Sequence, residues 1–175
     1  MNKNKSETAN GSEHDAFIEI DKRTAYHLAG HTAAIYFGNK HKRLPAVHFQ
    51  VIIKPIDEDG QQAERCACMR GKCTAKIEGG RLIQSLPMSF IESTQGLPSS
   101  QREEYLRAFE ADVMNFLAGP LAEAKFVASR DGEVFNPNIV NLAALQFYGG
   151  NSDLKIINEY MDSFMLDKAT INHKL

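Results

Sequence analysis

Between Asp15 and Phe37 the residues Phe17, Ile20, Thr24, His27, His31 and Ile35 recur three and four apart, the spacing of one helix face turned toward a core. Two positions on that face are histidine. A buried ring nitrogen left without a partner costs about 1–3 kcal/mol. Residues i and i+4 lie roughly 40° apart about a helix axis, so the two rings project together. They can bond separate backbone carbonyls, or they can share one metal ion, zinc taking imidazole nitrogen at about 2.0–2.1 Å. In either case the elements packed on this helix must bring polar partners to its buried side.

The remaining chain divides by its turn residues. Gly38 and Asn39 are expected to stop the first helix. PAVHFQVIIKP, from Pro45 to Pro55, has the β-branched and aromatic content of a strand, followed by a polar loop, DEDGQQ. CTAKIEGGRLIQS, from Cys73 to Ser85, reads as a hairpin turning at Gly79 and Gly80. PMSFIESTQGLPSS is mostly loop. Ser99 or Ser100 can cap a helix from about Gln101, with Glu103 and Glu104 in its first turn. That helix carries Leu106, Phe109, Val113, Phe116, Pro120, Glu123 and Val127 on one seam, and a kink or restart is expected at Gly119–Pro120. After the loop DGEVFNPN, NIVNLAALQFY is a short helix ended by Gly149 and Gly150. SDLKIINEYMDSFM forms the last helix, with Leu154, Ile157, Met161 and Phe164 inward. The expected fold is a mostly helical α+β domain over residues 15–175, with a small antiparallel sheet between the first two long helices and a polar tail at 1–14.

With 24% charged and 43% hydrophobic residues, the composition is that of a globular protein. A formal charge of −2 gives no electrostatic case for nucleic acid or an anionic membrane as partner. The first residues lack the apolar core of a signal peptide, and no run approaches the roughly 20 apolar residues of a membrane span, so a cytoplasmic location is expected. Cys66, Cys68 and Cys73 are read as reduced thiols in a loop. A partial metal site is the alternative, although a structural zinc site wants four ligands and this cluster offers three.

AYHLAGHTAA, residues 25–34, resembles the AYHEAGHA segment of FtsH-type ATP-dependent zinc peptidases. AGPLAEAKF (118–126) and GGNSDLKII (149–157) follow in the order of that family's Gly-Arg-x-Ala-Glu-Glu and Asn-Asp-Leu motifs, so the resemblance spans about residues 15–165. It implies an FtsH-peptidase-like fold that binds Zn2+, with His27 and His31 as ligands and Asp153 completing the triad. It implies further that Glu123 bonds a ligand histidine and fixes its tautomer. Taken alone, Asp153 is also an ordinary acid in the first turn of a helix, and a kink at Pro120 would turn Glu123 to the surface.

Leu28 departs from the family. In HExxH peptidases the glutamate after the first histidine shuttles the proton of the attacking water, and losing a positioned base costs about 10²- to 10⁴-fold in rate. No GxxxxGK[ST] loop is present either, so the chain by itself has no motor for processive degradation. Two functions follow. The chain is a zinc-binding module with impaired or absent proteolysis, docking a peptide or protein partner by its sheet edge; or it is a small zinc peptidase using another base, such as Glu123. A metal-free helical domain is a third reading, and weak self-association is expected in each.

Overall fold

In a computed structural model the chain is described over residues 20–55, 68–70, 73–83 and 98–172, apart from the side chains of 55, 68–70, 73 and 163–172. Phe17, the polar tail, the DEDGQQ loop, Cys66 and most of the loop before Ser99 fall outside these residues. The first helix, α1 (Lys22–Ala33), begins at Asp21, whose carboxylate accepts from Thr24 N at 3.1 Å and from Thr24 Oγ1 at 2.6 Å. This cap satisfies an amide that the first turn leaves open.

The helix does not stop at Gly38 and Asn39. It widens into a π turn (Ala34–Gly38), tightens again over Asn39–His41 and closes at Arg43, whose φ of 54° is left-handed. Leu44 N donates to Asn39 O at 2.9 Å across that closure, which pairs one of the last carbonyls. Gly38 is absorbed by the π turn, and Arg43 occupies the backbone conformation usually left to glycine.

Strands β1 (Phe49–Pro55), β2 (Cys68–Arg70) and β3 (Cys73–Gly79) form an antiparallel sheet in the order β1-β3-β2, Phe49 facing Gly79 and Arg70 facing Cys73. The hairpin expected at Gly79–Gly80 therefore lies earlier, between β2 and β3. Gly79 and Gly80, with φ of 83° and 74°, instead bend the chain out of the sheet, Gly80 N bonding His48 O at 2.9 Å. A glycine pair marks a positive-φ bend whether or not the chain turns back on itself. Cys68 and Cys73 start strands rather than lying in a loop, and β1 begins at Phe49 rather than near Pro45.

The second helix, α2 (Ser99–Arg130), runs unbroken through Gly119 and Pro120, so no restart occurs. Pro120, which lacks a backbone donor, is fully buried and packs close to Gly150. Pro98, not a serine, sits at the N-cap, and Glu103 and Glu104 fall beyond the first turn. Phe109 and Phe116 are buried as expected, whereas Leu106 is exposed. Asp112, Asn115 and Glu123 are buried on the same helix. Asp112 accepts from Leu82 N at 3.0 Å and Ile83 N at 2.9 Å, tying the exit of β3 to α2.

Two 3₁₀ stretches (Pro137–Ile139 and Leu142–Tyr148) replace the expected short helix, the second ending at left-handed Gly149. The third helix, α3 (Asn151–Asn172), buries Ile157 and half-buries Leu154, but Met161 is 41% exposed and thus not inward; the Phe164 side chain lies outside those described. Among the described residues no helix is long and apolar enough to cross a membrane.

Among the described elements, α1 packs most extensively against α2. The helices meet where Gly30 faces Ala118 and Ala122, and a Cβ on Gly30 would collide with the Ala118 backbone. Tyr26 stacks on Phe126 beside this crossing, ring centroids 4.4 Å apart. Gly30→Ala must push α1 off α2, so it is expected to lower stability by about 1–3 kcal/mol in urea titration despite the better helix propensity of alanine. An unchanged urea midpoint would show that the two helices are not held this closely.

Candidate metal centre

The crossing of α1 and α2 brings His27 and His31 against the first turn of α3. His31 Nδ1 lies 2.6 Å from Asn115 O, and His27 Nδ1 lies 3.2 Å from Tyr148 O. A carbonyl only accepts, so in each ring the Nδ1–H donates, and in a neutral imidazole Nε2 is then left with its lone pair. Those two Nε2 atoms face each other at 3.0 Å, and Asp153 Oδ2 is 3.5 Å from both. The three side chains are buried, and Asp153 Oδ2 has no hydrogen-bond partner.

Three acceptors converging away from water repel one another unless a cation lies among them. A tetrahedral ion holding nitrogen and oxygen ligands at about 2.0–2.1 Å spaces those atoms roughly 3.3 Å apart. The edges of this triangle are 3.0, 3.5 and 3.5 Å. The donor set and its spacing fit such an ion, and His27, His31 and Asp153 can together hold a metal. Asp153 does lie in the first turn of a helix, but its carboxylate is turned inward to the histidines.

Glu123 is fully buried beneath this group, its Oε2 3.3 Å from His27 Nδ1. Pro120 therefore does not turn it to the surface. Its Oε1 is paired with Arg23, 2.9 Å from Nε and 2.7 Å from Nη2. Two glycines leave room for these rings. A Cβ on Gly119 would overlap the His31 ring, and one on Gly149 would come within 3.0 Å of both Glu123 Oε2 and His27 Nδ1.

Without a metal, a proton can supply the missing positive charge. Burial works against a charged His27, but the Asp153 and Glu123 carboxylates facing its two ring nitrogens outweigh it and raise its pKa from 6.5 to about 9. Burial likewise opposes ionisation of Asp153, but the two imidazoles hold its carboxyl below the ordinary value.

His31 and Asp153 also stand on the wall of a cavity of about 550 Å³ bordered by β3 from Lys76, Phe116 and Tyr160. Strand β2 pairs with β3 from Cys73 to Ala75. Leu28 is buried beside His27 and brings no titratable group.

His27, His31, Glu123 and Asp153 were all named from the sequence, and the fold brings them together. Arg23, the Asn115 and Tyr148 carbonyls, Gly119 and Gly149 were not. Backbone acceptors leave no mark in a sequence, while Arg23 could have been found from its i, i+4 relation to His27. No protein-family model, curated protein or solved structure matches the chain.

The raised His27 value has a thermodynamic consequence. The metal-free folded state binds this proton more tightly than the unfolded chain does, so the associated stability is complete below about pH 6.5 and lost as pH rises through about 9. Melting of the metal-free protein should therefore shift downward between those pH values, by the equivalent of roughly 3 kcal/mol. Asp153→Asn should flatten the profile. A wild-type profile already flat over that range would contradict the arrangement of charges around His27.

Proposed function

We propose that this chain is an FtsH-peptidase-like zinc-binding domain in which the metal is kept and proteolysis is impaired or lost. The observation that carries this reading is the convergence of His27 Nε2, His31 Nε2 and Asp153 Oδ2 in a buried triangle sized for a small tetrahedral cation. Two imidazoles and one carboxylate favour zinc and leave a position for an exogenous ligand. When bound, the ion supplies Lewis acidity toward an oxygen there.

The rest of the reading comes from what the side chains can do with protons. Leu28 cannot accept one. Glu123 is engaged on the Nδ1 edge of His27, the ring edge away from Nε2, so it is better placed to orient the imidazole than to act as a base over the metal. This weighs against the alternative of an active peptidase using Glu123. The partner of such a domain would be an extended peptide or protein segment, paired by its main chain at a sheet edge.

Elemental mass spectrometry of the untagged protein should find about one zinc per chain, and Asp153→Ala should bind at least about tenfold less. No zinc in the wild type, after zinc is offered, would refute the metal centre. Zinc-loaded wild type should leave denatured casein intact, while Leu28→Glu should gain activity on the order of 10²-fold or more. Because Leu28 is buried, the variant is first checked for melting temperature and zinc content. Efficient cleavage by the wild type would instead establish the peptidase alternative.

A further inference from the structure

We propose that Arg23 is the positioning residue of the metal centre, acting on the ion through His27; the inference rests on the reading of His27 as a ligand. His27 Nδ1 faces two acceptors, Tyr148 O at 3.2 Å and Glu123 Oε2 at 3.3 Å. They come from different elements, a 3₁₀ stretch and α2, and Arg23 reaches both. Its Nε and Nη2 pair with Glu123 Oε1, and Nη2 also donates to Phe147 O at 3.4 Å, on the residue next to Tyr148.

Arg23 stands four residues before His27 on α1, so the clamp and the ring it serves project from one side of a rigid helix. The flat guanidinium fork can meet a carboxylate and a carbonyl at once, which a single ammonium does less well. With Arg23 in place, the buried Glu123 carboxylate is held by a cation on one oxygen while its other oxygen faces the imidazole. The ring is thus fixed with Nε2 toward His31 and Asp153. Without Arg23, the Glu123 side chain and the Phe147–Gly149 backbone can move independently, and the imidazole loses its fixed orientation. The Arg23 side chain is 31% exposed, so replacing it leaves no large cavity.

The test compares zinc affinity, by competition with a chromogenic chelator, for wild type, Arg23→Gln, Arg23→Lys and Arg130→Gln. Arg130 pairs on the surface with its neighbour Asp131 and serves as the control. Arg23→Gln should weaken zinc binding by about 10- to 100-fold and alter the visible spectrum of the cobalt-loaded protein, Arg23→Lys should recover part of the loss, and Arg130→Gln should match wild type. Wild-type zinc affinity and cobalt spectrum in Arg23→Gln would overturn the proposal while leaving the metal centre standing. A lysine variant as weak as glutamine, with an unaltered cobalt spectrum in both, would reduce Arg23 to a purely structural role and overturn it as well. Wild type without zinc binding would remove the metal reading and this proposal together.

Discussion

Three acceptor atoms from α1 and α3, each with its lone pair turned to a common point, impose a demand that the rest of this fold is arranged to meet. Like-charged or lone-pair-bearing groups gathered away from water stand only if a cation joins them or the chain pulls them apart. The carbonyls of Asn115 and Tyr148 fix the tautomer that points both Nε2 atoms inward, and Glu123 with Arg23 steadies His27 from behind. A proton or a metal can answer the demand. The buried carboxylate of Asp153 and the triangle dimensions are such that the group can hold a metal ion.

The geometry depends on close backbone approach. Gly30 lets α1 lie against Ala118, Gly119 makes space for the His31 ring, and left-handed Gly149 brings the Tyr148 carbonyl to His27. The π turn in α1 and the unbroken passage of α2 through Pro120 belong to the same packing. A helix that ended at Gly38, or restarted at Pro120, would not carry the same buried polar faces past each other. Asp112, some way along α2, does comparable work for the sheet by holding the amides of Leu82 and Ile83.

Much of this was legible in the sequence. The i, i+4 histidines on an apolar face and Glu123 on the seam of the long helix were visible as polar residues where packing called for apolar ones, whereas Asp153, an ordinary acid in a helix's first turn, was picked out by the family resemblance alone. The small antiparallel sheet between the first two long helices was visible from its β-branched run. What failed was punctuation. Gly38 and Pro120 are breakers by local preference, but tertiary packing carried both helices through them, and Gly79–Gly80 marked a bend out of the sheet rather than a hairpin. The spacing of Arg23 from His27 was visible, but its role was not, because that depends on the Glu123 carboxylate and the Phe147 carbonyl, 100 and 124 residues away.

X-ray absorption at the zinc edge of the zinc-loaded protein reads the ligand atoms themselves. With His27, His31 and Asp153 as ligands, about two imidazole nitrogens are expected with the remaining ligands oxygen, all near 2.0–2.2 Å, and no sulfur. Sulfur at about 2.3 Å would contradict it, since the ion would then be held by Cys66, Cys68 or Cys73 and not by His27, His31 and Asp153.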